Sequence, residues 1–264
     1  RCGYVAIIGQ PNVGKSTLLN QLLDFKLSIV SPKPQTTRQR VLGILNQEGA
    51  QIIFLDTPGL IKPKYELQSA MMKIADQAIQ SSDVLLVISD VTSKSDFDFV
   101  SQLFTTALRD VPLPKILLMN KIDRIAKSEL LPMMEKYHGL NVFKEIIPIS
   151  ALENDGTDFV KAALIRYLPE GEPFYPADTL TEQPERFFVG EIIREKIFLN
   201  YAKEIPYSTD VQIEEFKERP DSKDFIRAVI FVEHDSQKKI LIGKKGEALK
   251  RIGETARKDI ETFL

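Results

Sequence analysis

The sequence predicts an α/β domain, with a mostly parallel, doubly wound sheet and helices on both faces, followed by a smaller α+β domain. Three observations carry that prediction. Short, nearly continuous apolar runs at 4–8, 51–56, 84–90, 116–120 and 146–150 alternate with stretches of helical spacing at 15–23, 65–80, 97–108, 128–137 and 157–168. Runs of this kind read as strands buried on both faces, and strand–helix alternation brings each strand back parallel to the last. Pro169, Gly171, Pro173, Pro176 and Pro184 then crowd one segment, which suits neither a helix nor a central strand. Beyond it the order changes to helix at 186–203, strands at 209–216 and 225–233, and a basic helical segment to the end. The expected domains are 1–168 and 186–264, joined by a linker at 169–185. Within the first, the run 41–46 reads as an extra strand that turns through Gln47-Glu48-Gly49 and pairs antiparallel with 51–56.

Composition narrows the function classes. With 43% hydrophobic and 27% charged residues, the 264-residue chain can bury the cores that two domains need. Lys+Arg 35 against Asp+Glu 37 leaves a net charge of −2, so any nucleic-acid or membrane partner must meet a local patch rather than a global field. Cys2 is the only cysteine and His138 and His234 the only histidines, which excludes a disulfide framework, a cysteine zinc site and a histidine-rich metal centre. No apolar run approaches the ~20 residues of a membrane span and no signal peptide opens the chain, so the expected location is the cytoplasm. Arg1 in place of Met suggests numbering that starts inside the reading frame.

The first strand runs into Gly9-Gln10-Pro11-Asn12-Val13-Gly14-Lys15-Ser16, which fits G-x-x-x-x-G-K-[ST] between a strand and a helix. Such a loop turns its backbone N–H groups inward around phosphates, and the helix that opens with Lys15, Ser16 and Thr17 adds free N–H groups and a positive dipole end. Lys15 is expected on the β- and γ-phosphates and Ser16 on Mg²⁺. Asp56-Thr57-Pro58-Gly59 closes the next buried strand. Its carboxylate suits the magnesium shell, and Gly59 lets a backbone N–H meet the γ-phosphate. Asn120-Lys121-Ile122-Asp123 ends a further strand. The Asp123 carboxylate can accept from guanine N1–H and the 2-amino group; adenine offers neither, and a site built for buried donors rejects the analogue that lacks them. Asn120 and Lys121 would shape and cover the ring, and Ser150-Ala151-Leu152 would put a backbone N–H on guanine O6. All four segments sit at carboxyl strand ends and so face one crevice.

In the second domain, Ile242-Gly243-Lys244-Lys245-Gly246 is a G-x-x-G turn between helical stretches. From 238 to 258 there are eight basic residues (Lys238, Lys239, Lys244, Lys245, Lys250, Arg251, Arg257, Lys258) against Glu247 and Glu254, a net +6 in an otherwise acidic protein. That is the footprint of a phosphate-binding surface.

With these motifs in this order the chain resembles the translation-factor-related GTPases and, within them, the Era family: GQPNVGKS, Gln35-Thr36-Thr37-Arg38, DTPG, NKID, SAL and the second domain all take part. The resemblance implies a P-loop GTPase that cycles between GTP and GDP with Mg²⁺, with Thr37 as the switch ligand that senses the γ-phosphate. Where Ras-like GTPases place a water-orienting glutamine, this chain has Leu60, so intrinsic turnover is expected to be slow. Asn12 is similar to an asparagine that holds a potassium ion beside the phosphates in relatives. The second domain resembles a type II KH domain, in which GXXG clamps single-stranded RNA; Arg194-Glu195-Lys196-Ile197 and Ser236-Gln237-Lys238 match, with Lys250 and Arg251 beside the turn. The final strand and helix of that fold are expected beyond Leu264. The implied partners are single-stranded rRNA near the small-subunit 3′ end and the small ribosomal subunit, in ribosome assembly, for a monomer. Two alternatives stay open: an RNA-binding protein whose nucleotide domain is structural, and a GTPase docking on protein partners or peripherally on the inner face of the cell membrane.

Overall fold

The computed structural model describes residues 1–220 and 222–264. They form two units: residues 1–28 with 37–182, and residues 29–36 with 183–264.

The first unit is built on six strands: β1 (Cys2–Gly9), β2 (Val41–Gln47), β3 (Ala50–Asp56), β4 (Val84–Asp90), β5 (Lys115–Asn120) and β6 (Glu145–Ile149). Their order is β2-β3-β1-β4-β5-β6, parallel throughout except for β2, which runs antiparallel to β3 at the edge. β1 lies between β3 and β4, so the chain winds to one side of it and then to the other. Ligands of open α/β sheets bind at such a reversal, outside the carboxyl ends. Helices α1 (Lys15–Leu23), α2 (Glu66–Gln80), α3 (Asp96–Thr105) and α4 (Lys127–His138) connect the strands, and α5 (Thr157–Tyr167) follows β6. β3 and nearly all of β4 are buried residue by residue, which is why their sequences show no polar alternation. Among the buried residues of one face are Ala6, Ile8, Ile53, Leu55, Leu85, Val87, Leu117 and Met119, packed with Ala75, Ala78, Val100 and Phe104 of the helices.

The proline-rich residues 169–182 belong to this unit and are tied to it at many points. Gln51, almost fully buried, accepts from the amides of Phe174 (2.8 Å) and Tyr175 (3.0 Å) and donates to the Tyr175 carbonyl (2.8 Å). Further on, Ile44 N donates to Leu180 O (2.8 Å) and the Thr181 hydroxyl to Leu42 O (2.6 Å), so the strap follows the outer edge of β2.

In the second unit, α6 (Glu185–Asn200), the antiparallel pair β7 (Thr209–Lys217) and β8 (Phe225–Val232), α7 (Asp235–Ile242) and α8 (Glu247–Phe263) follow the expected order. α8 buries Ile252, Ala256 and Ile260, four residues apart, against a core that includes Val189 and Ile197 of α6 and Leu241 of α7. Gln237 fixes the start of α7: its side-chain oxygen accepts from the amides of Glu233 (3.1 Å) and His234 (3.0 Å). Segment 29–36 packs in this unit. Arg194 of α6 donates to the Thr36 carbonyl (2.6 Å) and is paired with Glu191, while Lys33 donates to the carbonyls of Phe198 and Tyr201.

Candidate functional site

The residues singled out in the first unit lie where four strands end. β1 delivers the loop 9–14 and α1 starts at Lys15; β3 ends at Asp56, β5 at Asn120, and β6 leads into Ser150. Gly14 stands at φ 105, and a Cβ there would lie 2.2 Å from the Asn120 amide nitrogen, so no other residue lets the two loops approach this closely. Asn12 is also left-handed, at φ 65.

Lys15 is 6% exposed and donates to the carbonyls of Gly9 (3.3 Å) and Gln10 (2.7 Å). Burial pushes its ammonium down to about 8, against the opposing pull of Asp56 and Asp96. Ser16, Thr37 and Asp56 meet: the Ser16 hydroxyl donates to Asp56 Oδ2 (3.0 Å) and lies 3.2 Å from the Thr37 hydroxyl, which is 3.4 Å from the same carboxylate oxygen. Asp56 is fully buried, and burial raises its carboxyl above the ordinary range against Lys15 and the hydroxyls of Ser28, Ser16 and Thr37. Its second oxygen, Oδ1, has no hydrogen-bond partner among the described residues. Thr57 is turned inward, donating to Ile7 O (2.7 Å), and Leu60 N donates to Gly9 O (2.9 Å) while its side chain joins the apolar core.

Asn120 ties the crevice together. Its amide donates to Val13 O (2.6 Å) and its oxygen accepts from Ala151 N (2.9 Å), joining the phosphate-type loop to segment 150–152. Asp123 sits in a single 3₁₀ turn (Ile122–Arg124) and accepts from the Ser150 hydroxyl (2.7 Å). Lys121, at φ 71, reaches back to Asn12 O (2.8 Å) and pairs with Asp90 at the end of β4. Leu152 is exposed. The first-unit candidates are thus gathered at the carboxyl ends of the strands. The sequence reading did not single out Asp90, whose partner Lys121 lies 31 residues further along the chain.

The second candidate set is gathered on the G-x-x-G turn. Gly243 (φ 72) ends α7, with a position where a Cβ would lie 2.6 Å from the Ala248 Cβ. Lys244–Gly246 form one 3₁₀ turn, Lys245 is left-handed at φ 51, and α8 begins at Glu247. Lys244, Lys245, Lys250 and Arg251 are all exposed, as are Lys238 and Lys239. Ile242 is half-buried. Among the described residues, no helix is long and apolar enough to cross a membrane.

A phosphate-type loop at the sheet's winding reversal, an aspartate ending β3 and an NKxD segment tied to the loop define a P-loop guanine-nucleotide-binding domain, and the G-x-x-G turn between α7 and α8 is that of a KH module. Comparison with known proteins agrees with this class. The family described as 50S ribosome-binding GTPase matches residues 4–121, and the KH domain matches residues 204–264. The GTPase Era of Geotalea daltonii is 48% identical over 99% of this chain and 88% of its own length. The chloroplastic GTPase ERA1 of Zea mays is 46% identical over 100% of this chain, which spans 64% of that longer protein. A point variant of Era from Aquifex aeolicus, solved with GDP·AlF4⁻, superposes with a TM-score of 0.93 at 42% identity, over 100% of this chain and 89% of that one. The chain belongs to the Era family of GTPases.

Proposed function

We propose that this chain is a GTP-hydrolysing switch that binds single-stranded rRNA of the small ribosomal subunit through its KH module, and that it acts as a monomer in the assembly of that subunit. The observation that supports this most directly is the hydrogen-bonded convergence of loop 9–14, Asp56, Asn120–Asp123 and Ser150 at the carboxyl end of the sheet.

The roles follow from chemistry. Loop 9–14 and the N-terminus of α1 present N–H groups to phosphates. Lys15, now bonded to the carbonyls of Gly9 and Gln10, would exchange them for the β- and γ-phosphates, and an anion there favours its charged form. Ser16, Thr37 and Asp56 fit a Mg²⁺ ion: all three offer hard oxygen donors, they already touch one another, and Asp56 Oδ1 is buried without a partner. Bound there, the ion would offset the negative charge of the phosphates. Thr37 reports the γ-phosphate, and Gly59 presents its backbone N–H to it. Segment 29–36, held on α6 through Arg194 and Lys33, runs directly into Thr37, so ordering Thr37 acts on the chain that α6 holds. Leu60 packs into the core and cannot orient an attacking water, so intrinsic hydrolysis is slow. Asp123 reads guanine N1–H and the 2-amino group, and a backbone N–H of segment 150–152 reads O6.

The potassium site would use Asn12 inside the loop. Turnover that stays the same when Na⁺ replaces K⁺ at equal ionic strength removes that role. For the RNA, an Era structure in complex with MgGDPNP and nucleotides 1506–1542 of 16S ribosomal RNA covers 100% of this chain at a TM-score of 0.93. The exposed Lys244, Lys245, Lys250 and Arg251 around the G-x-x-G turn suit the corresponding strand here. The decisive experiment is nucleotide titration of the parent and Asp123→Asn. The parent should prefer GTP, and the variant should lose roughly 10²–10⁴-fold in GTP affinity, as two hydrogen bonds to a charged group are removed, and turn to xanthosine triphosphate. A variant that keeps its GTP preference refutes the assignment. Phosphate release that stays near zero with and without RNA would leave only the RNA-binding half.

A further inference from the structure

We propose that Asp90 is a positioning residue of the guanine site, acting through Lys121. It rests on the reading of Asp123 as the carboxylate that recognises the base. Asp90 ends β4, between the ends of β1 and β5, so it stands behind the loop 9–14 and beside the NKxD segment. Its two carboxylate oxygens have separate partners. Oδ1 accepts from the Thr92 amide (2.9 Å) and hydroxyl (2.6 Å), while Oδ2 is left for the Lys121 ammonium. The backbone behind it is fixed as well, since Asp90 N donates to the buried carboxylate of Asp96 (3.1 Å).

Three consequences follow for Lys121. Its ammonium is anchored at Asp90 and at Asn12 O (2.8 Å), which draws the side chain across the mouth of the loop and leaves its methylene stem to cover the ring. The same anchor ties β4 to the left-handed Asn12 of the loop and so couples the base-covering residue to the phosphate cradle. Lys121 is also kept off Asp123, two residues away, which is paired with Ser150 and Arg124 instead. The Asp90–Lys121 pair is largely shielded, at 14% and 24% side-chain exposure, so it is not the screened surface pair that contributes nothing. Burial tends to raise the Asp90 carboxyl, but Lys121 and Thr92 outweigh it and hold the group ionised below its usual range.

The test is a double-mutant cycle read by titration of the full chain with GDP: parent, Asp90→Ala, Asp90→Asn, Lys121→Ala and the Asp90→Ala/Lys121→Ala pair. Asp90→Asn keeps an acceptor for Thr92 but not the charge, so it separates the ion pair from the turn. Both Asp90 variants should weaken GDP binding by roughly tenfold, from loss of a charged hydrogen bond, with kcat at saturating GTP nearly unchanged. The double variant should bind no more weakly than Lys121→Ala alone. An Asp90→Asn chain that binds like the parent, or losses that simply add in the double variant, overturns the proposal. A parent that binds xanthosine and guanosine diphosphates alike removes the base site and the proposal with it, an outcome read before any variant is made.

Discussion

Lys15 is held in a position that favours ligand binding over stability. The residue is 6% exposed, its ammonium donates to the carbonyls of Gly9 and Gln10, and burial lowers its pKa from 10.5 to about 8. At pH 7 it is charged in both folded and unfolded chains, so a fall of that size corresponds to a destabilisation of about 3 kcal/mol. Lys15→Met removes that charge and keeps much of the stem volume, but it deprives the Gly9 and Gln10 carbonyls of their donor, which costs about 1–2 kcal/mol. The nucleotide-free variant should therefore be more stable than the parent by about 1–2 kcal/mol at pH 7, or several degrees in melting temperature for the first unit. The sign reverses with ligand: at a hundredfold excess over Kd, GDP stabilises the parent by about 2.7 kcal/mol, and the variant gains nothing. The pH dependence isolates the cause. Between pH 8 and 10.5 the unfolded chain holds the proton that the folded chain has released, so parental stability rises there. The variant's advantage should fall by about 2 kcal/mol between pH 7 and 9.5, enough to cancel or reverse it. Urea denaturation of nucleotide-stripped protein at the two pH values measures it. A variant less stable than the parent at pH 7, or a gap that does not change with pH, refutes the reasoning.

Burial pushes the Asp96 carboxyl up to about 6, so its folded-state proton is lost as pH rises from about 4 through 6, and stability falls with it; Asp96→Asn should remove that slope and gain up to about 2 kcal/mol at pH 7.5 but little at pH 4, by urea denaturation. Replacing Lys244 and Lys245 together with Ala should reduce the slope of log affinity against log salt for single-stranded RNA by about 1.4, with guanine-nucleotide affinity unmoved. Gln51→Ala leaves two strap amides and a carbonyl without their partner and should destabilise the first unit by about 2–4 kcal/mol, read as a lower urea midpoint.

Much of the candidate site was legible because the motifs expected for phosphate and guanine chemistry are short and contiguous, each parked at a strand end that apolar runs already marked. Loop 9–14, Asp56, Asn120–Asp123 and Ser150 therefore came from local pattern alone. Asp90 did not, since its partner Lys121 lies 31 residues away and an acidic strand end has no signature of its own. The attachment of segment 29–36 to α6 was illegible for the same reason: it is held by Arg194, 158 residues on from Thr36. Element ends shifted where tertiary contact decides. β1 begins at Cys2 because Cys2 pairs with Gln51, and α6 stops at Asn200, after which Tyr201 turns its hydroxyl to Leu241 O (2.6 Å). The prolines at 169–184 correctly ruled out helix and central strand, but they said nothing of Gln51, whose role as a clamp is invisible in a residue that reads as one more member of a strand.

That clamp bears on how the first unit can be handled. The outer rim of β2 would otherwise present a row of unsatisfied amides and carbonyls, an invitation for another chain to add itself there, and the strap fills that vacancy from within the molecule. A nucleotide-binding fragment cut at Leu168 would be left with a sticky rim and a tendency to self-associate, whereas one extended through Glu182 would carry its own guard.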